Sequence, residues 1–343
     1  MKVFLKKILF FSLLLFILIS IRFIFLPYYF GNDIYASKIK QFEYSPKTYN
    51  TVIFGSSRLY RQINPTLLDS ILNKTKTYNF ATPATYYPES LYLYESFIDN
   101  LETNKINYAF VEIQHLELFK NNAKTLRGNY WNTLPSLLKC LDFINNSHYS
   151  DNKKHRLKQT YYYSFINRII DFSSINKILN SNKVNTGVNG FYSLEKEMSD
   201  KTENFNDLLK RNNLIKSDTI ILNNLVQSAI KLDSIQLIKS NLNLAYFNEL
   251  TRLIKKSKVK GIKLIYILPP RLNLEYYKEL IPVCEKLPQS NIINLASYKL
   301  YKNLYDKKYS FDFDHLNDKG SEIFTKLIAY RTLNILEDFT VNE

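Results

Sequence analysis

Past its first thirty residues the chain alternates short apolar runs with amphipathic stretches. Thr51 to Phe54, Thr77 to Phe80, Tyr108 to Ile113, Ile262 to Leu268 and Ile292 to Leu295 are near-continuous apolar runs of strand length. Runs of that kind, rather than strict alternation, are what strands of a parallel sheet covered on both faces require. Helix signals separate them. Asn64-Pro65 reads as an N-cap and first helical position, and Pro88-Glu89 opens a second helix with an acidic first turn. Gly261 stops a helix spanning Leu250 to Lys258, Pro269-Pro270 closes a strand, and Asn317 or Asp318 caps a last helix running through Leu336. Strand and helix repeated in this way predict an α/β fold with a doubly wound, mostly parallel sheet.

Two regions depart from the alternation. From Leu116 to Asn241 the chain is rich in Asn, Lys, Tyr and Leu, with helical spacing over Ser164 to Leu179 and Ile220 to Ile238. This span is expected to be a largely helical insertion at about 116–241. It either caps the strand ends and shapes an acceptor site, or simply packs and meets a partner. The other region is the N-terminus, where Lys2, Lys6 and Lys7 precede a run from Ile8 to Phe25 broken only by Ser12, Ser20 and Arg22. With Arg22 snorkelling toward headgroups, the run reaches the ~20 residues that cross a bilayer. No small-residue cleavage site follows Ile21; bulky Phe25-Leu26-Pro27-Tyr28-Tyr29 stands there instead. The sequence therefore predicts an uncleaved membrane anchor at 1–30, cytoplasmic at its basic N-terminus, a linker at 31–48, and an extracytoplasmic domain at 49–343.

Composition changes this picture little. The 343 residues carry a net charge of +15, but the basic residues are spread along the chain and interleave with no nucleic-acid-binding motif, so no nucleic-acid partner is expected. Abundant Lys, Asn, Ile and Tyr with only 7 Gly fits an AT-rich coding bias. Cys140 and Cys284 form either a disulfide or two buried thiols in a compartment that permits both. No zinc-type spacing points to a metal, and no cofactor is implied.

The chemistry lies in two distant segments. Gly55-Ser56-Ser57-Arg58 follows the first apolar run, and Asp312-Phe313-Asp314-His315-Leu316-Asn317 precedes the last helix. A serine hydroxyl needs an imidazole within hydrogen-bond reach, and the imidazole needs a carboxylate to fix its tautomer. Asp312 and His315, three residues apart, suit that pairing, and Ser57 sits where an α/β sheet places its ligand site, just past a strand's carboxyl end. His115 is a rival base at another strand end, whereas His148 and His155 lie in polar, exposed sequence.

These residues resemble the SGNH (GDSL-like) hydrolase superfamily. Strand-Gly-x-Ser and Asp-x-x-His are similar to its blocks I and V, and His315-Leu316-Asn317-Asp318-Lys319-Gly320 is similar to the ending of its membrane-anchored branch, which includes the teichoic-acid D-alanylation and alginate O-acetylation proteins. The resemblance implies Ser57 as nucleophile, His315 as general base and Asp312 as orienter. Three positions differ from the pattern. Ser56 replaces the usual acid before the nucleophile, Ala84 or Thr85 replaces the glycine of block II, and Glu112-Ile113-Gln114-His115 replaces Gly-x-Asn-Asp. Oxyanion donors would then be the Ser57 amide and one from the Ala84-Thr85 turn, with Gln114 as a further candidate, and Arg58 a contact for a sugar carboxylate or phosphate. The implied function is an esterase or O-acyltransferase acting on acyl esters of a cell-surface glycan, with an acyl donor or membrane acyl-transfer protein as partner. The alternative is a non-catalytic assembly or glycan-binding factor.

Overall fold

The computed structural model describes residues 1–45, 48–101, 106–118, 122–171, 184–218, 220–234 and 242–340. The chain begins with α1 (Lys2–Phe25) and α2 (Asp33–Glu43). It continues through β1 (Thr51–Phe54), α3 (Ser57–Tyr60), α4 (Pro65–Leu72), β2 (Thr77–Asn79), α5 (Glu89–Asp99) and β3 (Tyr108–Glu112). Next come α6 (Leu126–Asn129), α7 (Leu134–Asn146), α8 (Asp151–Ile170), α9 (Leu194–Ser199), α10 (Phe205–Ser217) and α11 (Ile220–Ser234). The chain then returns through α12 (Leu244–Val259), β4 (Lys263–Leu268), α13 (Leu274–Lys286), β5 (Ile292–Asn294) and α14 (Asp318–Thr340). The five strands form one sheet in the order β2-β1-β3-β4-β5, every neighbouring pair parallel.

The period-two geometry of a strand sends its apolar run to both faces. Val52, Phe54, Ala109 and Val111 enter one core, and Ile53, Phe110, Ile265 and Ile267 enter the other. Burial on both sides is why the strands read as continuous apolar runs rather than alternating ones. Each later strand is one residue shorter than its run: Phe80, Ile113 and Leu295 stay buried just beyond the ends of β2, β3 and β5, and Ile262 just before β4. The strand order reverses between β1 and β3, and the carboxyl ends of these strands leave the crevice in which such sheets bind ligands.

Helix ends follow their caps. The Asn64 side chain accepts from the amides of Thr66 and Leu67. Asn243 accepts from Tyr246, which starts α12 six residues before the expected Leu250. Asn317, one of the two expected caps, accepts from Gly320, and α14 runs on past Leu336 to Thr340. Helix α8 covers the expected segment from Ser164 and ends at Ile170, capped at Asp171; the rest, 172–179, lies outside the described residues. Likewise α11 spans Ile220–Ser234, and the rest of the expected segment, 235–238, lies outside the described residues.

The stretch 31–48 is more than a linker. It carries α2, which buries Tyr35, Lys38 and Ile39 against the domain. The Lys38 ammonium is fully buried, donates to the carbonyls of Asn79 (2.8 Å), Ala81 (2.6 Å) and Gly190 (2.8 Å), and sits 3.7 Å from the Tyr60 ring centroid. Burial and the nearby Arg61 pull its pKa well below the usual lysine range. A lysine on the buried face conceals this packing from any hydrophobicity reading. Helix α1 is long and apolar enough to cross a membrane and is almost wholly exposed over its length.

Candidate functional site

The site begins with a glycine. After β1 the chain turns sharply at Gly55, where a Cβ would lie 2.6 Å from Glu112 Oε2 and 2.8 Å from Glu112 Cβ. That closeness lets the Glu112 carboxylate, at the end of β3, accept from the Ser56 amide (2.6 Å) and the Ser56 hydroxyl (2.9 Å). Burial raises the Glu112 pKa, while Arg58 and the Ser56 and Gln114 hydrogen bonds pull the other way. The Ser56 oxygen also caps α3 by accepting from the Arg58 amide at 3.1 Å. Ser57 is thereby fixed as the first residue of α3, and its amide has no intrahelical acceptor.

Across the crevice, a tight loop presents the imidazole. The amides of Phe311 and Asp312 donate to the His315 carbonyl, and Ser310 pairs with Leu316. Inside the loop, Asp312 Oδ1 accepts from the amides of Asp314 and His315, each at 2.8 Å, and from His315 Nδ1 at 2.9 Å. His315 Nε2 lies 2.8 Å from Ser57 Oγ. Serine, imidazole and carboxylate therefore form one continuous hydrogen-bonded chain with the order and atoms that nucleophilic catalysis requires. Burial by itself would raise the Asp312 pKa. His315, Arg211 and the loop amides outweigh it and hold the carboxyl well below the usual range.

Two arginines brace this loop. Arg211, on α10, pairs its Nη2 with Asp312 Oδ2 and lies 3.2 Å from His315 Nδ1. Since Nδ1 already faces the carboxylate as a donor, this second approach is proximity and not a hydrogen bond. Arg271, just past β4, is fully buried. It donates to the Leu304 carbonyl (2.6 Å), to Ser310 Oγ (2.7 Å), and to the carbonyls of Asp312 and His315 (3.3 and 3.5 Å). Its backbone has φ +63°, an uncommon conformation for a side-chain-bearing residue that concentrates at constrained sites. Burial lowers its pKa to about 10.

The other sequence candidates fall around the same crevice. Ala84 takes φ +53°, a conformation that a glycine would adopt without strain. The hydroxyl of Thr85 points inward to the Thr82 carbonyl (2.7 Å), and Arg127, from α6, donates to the Pro83 carbonyl (2.8 Å) and to Thr85 Oγ1 (3.1 Å). Gln114 donates to the Thr85 carbonyl at 2.8 Å and accepts from Ser90 at 2.5 Å, so its amide steadies the 82–85 turn. Arg58 pairs at 3.0 Å with Asp314, whose side chain is 60% exposed. His115 bonds Glu117 (2.8 Å) and stacks on Tyr276, and burial lowers its pKa; its hydrogen bonds do not join it to Ser57. His148 and His155 are exposed, and Cys140 and Cys284 are free and buried. A cleft of about 10 Å³ is lined by Ser56, Arg58, Thr85, Gln114, His115 and Leu272, among others; Ser57 and His315 do not line it.

The role of Glu112 leaves one trace in the sequence: a carboxylate closing a buried apolar strand must find donors. Arg211 and Arg127 leave none, because the site groups they reach lie 101 to 104 and 42 to 45 positions away. Among the described residues, no group of three or more His, Cys, Asp or Glu side chains is arranged to hold a metal ion. No protein-family model, curated protein or solved structure matches this chain.

Proposed function

We propose that this is a membrane-anchored, SGNH-like serine esterase or O-acyltransferase with a doubly wound α/β domain, acting outside the cytoplasm on acyl esters of a cell-surface glycan. The observation that carries the proposal is the unbroken chain from Ser57 Oγ through His315 to Asp312, at 2.8 and 2.9 Å. In the proposed mechanism His315 Nε2 takes the Ser57 proton as Oγ attacks the ester carbonyl. The Ser57 amide and an amide of the Ala84-Thr85 turn hold the oxyanion. His315 then protonates the departing alcohol, leaving an acyl-enzyme, and next activates the acceptor hydroxyl. Water as acceptor makes the protein an esterase, and a sugar hydroxyl makes it a transferase.

One observation favours a second, non-catalytic reading as an assembly or glycan-binding factor. The Gln114 amide that would replace an asparagine donor is already engaged with the Thr85 carbonyl. A serine-directed fluorophosphonate separates the two. Applied to the full chain in membranes, it is expected to label the wild type and not Ser57→Ala, a change that removes little packing. No labelling of either form, or equal labelling of both, would overturn the proposal.

A further inference from the structure

Helix α8 has an exposed face whose character changes along its length. Reading from the N-terminus, the residues that face solvent are Asp151 and Asn152, then His155 and Arg156, then Gln159, then Tyr162 and Tyr163, then Ile166 and Ile170. These positions recur every three or four residues and so share one stripe. Tyr162, Tyr163, Ile166 and Ile170 are 50, 45, 49 and 58% exposed, an uncovered apolar strip about 12 Å long at the rise of an α-helix. The polar end carries one carboxylate, Asp151, against the exposed Arg156 and half-buried Lys153, Lys154 and Lys158, of which Lys153 lies over the Tyr149 ring and Lys154 donates to the Asn145 carbonyl.

The contacts of Arg22 fix where this strip lies. Arg22 sits in the last turn of α1, and its guanidinium donates to the carbonyls of Arg168 (2.8 Å) and Ile169 (3.4 Å) at the end of α8. Arg168 in turn lies over the ring of Phe23, 4.3 Å from its centroid. If α1 spans the bilayer, the apolar run from Ile8 through Leu26 fills the hydrocarbon core, and Arg22, four residues before the end of that run, lies about 6 Å inside the outer boundary, within snorkelling reach of it. The carboxyl end of α8 is then at that same depth. The sequence of side chains away from it matches the bilayer interface from inside outward. Aliphatic Ile170 and Ile166 come first, amphipathic Tyr163 and Tyr162 next, and the cationic turn last.

We infer that the exposed face of α8 is a lipid-docking surface. It inserts Ile166 and Ile170 into the headgroup and acyl boundary beside α1, sets Tyr162 and Tyr163 at the level of an aromatic belt, and aims its basic end at anionic headgroups. The domain is thus held against the membrane by a second element, besides its tether. This inference rests on the reading of α1 as a membrane span and does not depend on the esterase proposal.

Two tryptophan variants of the full chain, Ile166→Trp and His155→Trp, test it after reconstitution into phosphatidylcholine–phosphatidylglycerol vesicles. The native Trp131 is buried and gives a constant background. Lipids brominated on the acyl chain are expected to quench the indole at 166 at least about twofold more than the one at 155, as interfacial burial demands. Protection of position 166 from aqueous acrylamide without bromolipid quenching would mean that a second copy or another protein covers the face, and would overturn the inference. Equal acrylamide access at both positions would overturn it too. Flotation of the vesicles after alkaline wash reports on α1 separately: protein that floats but shows no quenching refutes docking alone, whereas protein that washes off refutes the anchor and, with it, the docking.

Discussion

Two aspartates flank His315, and replacing each by asparagine should have very different consequences. In Asp312→Asn the amide oxygen can keep the acceptor position that holds the amides of Asp314 and His315. The new NH₂ group must then occupy the Oδ2 position, facing the Arg211 guanidinium and within reach of His315 Nδ1. Placed 3.1 Å from Nδ1, that NH₂ competes with the retained oxygen for the ring nitrogen; where it donates, the imidazole carries its proton on Nε2, and a protonated Nε2 cannot accept from Ser57. In the serine-protease template the equivalent loss of tautomer lowers turnover by about 10⁴. The structural cost is smaller. The Arg211 pair is broken, but Arg211 is a third exposed and water can replace the carboxylate, so a loss of about 1–2 kcal/mol is expected. In a chain of this size that is a fall in Tm of only several degrees. Asp314→Asn removes only a surface pair with Arg58, worth about 0–1 kcal/mol. Labelling rates with a fluorophosphonate, read beside thermal melts of the same samples, provide the assay. A larger loss for Asp314→Asn, or a folded Asp312→Asn that labels within about tenfold of wild type, would refute the reasoning.

Two further outcomes follow from the packing and the charges. Gly55→Ala should push the Glu112 side chain off the Ser56 amide, since the new methyl would start 2.6 Å from Oε2. Overpacking of this kind costs about 1–3 kcal/mol, and displacing the nucleophile loop should slow labelling by roughly 10- to 100-fold; unchanged melting and labelling would show that the turn has slack. Glu95 is partly buried, which would raise its pKa, but a bidentate pair with Arg252 (2.8 and 2.7 Å) together with Lys256 and Lys139 brings it down to about 2. Because the folded value is the depressed one, its contribution is present above about pH 4.5 and is lost as pH falls toward 2. The stability advantage of wild type over Glu95→Gln in urea denaturation should therefore shrink from near-neutral pH to about pH 3, and a gap independent of pH would count against the pairing.

What the sequence makes legible follows from the range of each interaction. The strands of the sheet were readable because burial on two faces leaves an unbroken apolar run, and Ser57 because it stands directly after such a run. Asp312 and His315 were readable as a pair because their hydrogen bonds close within three residues. The packing of α2 was not, since its key buried contact is a lysine satisfied by three backbone carbonyls from other segments. Nor were the supports of the site. Arg271 reaches the catalytic loop candidate from about 40 residues away, and nothing in Pro269-Pro270-Arg271 announces a buried guanidinium. A one-dimensional pattern records which faces are dry, but not which distant cation answers a carboxylate.

The insertion between β3 and β4 illustrates how those long-range contacts combine. It holds the crevice at two places with guanidinium groups, Arg127 on the 82–85 turn and Arg211 on Asp312. Arginine suits both positions, because a planar fork of donors can bridge several oxygens at once, which a lysine ammonium does with less fixed geometry. The first of these anchors belongs to the part of the insertion nearest α1. Helix α6 carries Arg127, the Gly128 carbonyl accepts from Ser164 of α8 at 3.1 Å, and the end of α8 receives Arg22. The second belongs to the segment from α9 to α10, which is tied to the body separately by the Arg61–Glu197 pair (2.5 Å) and by Glu195 accepting from the Asp318 amide (2.7 Å). A rigid swing of the whole insertion would have to break both sets of contacts together. Releasing α10 alone breaks fewer, and it frees the face of Asp312 while leaving the 82–85 turn in place. A bulky ligand entering the crevice would therefore meet the fewest tying contacts on the side of α10.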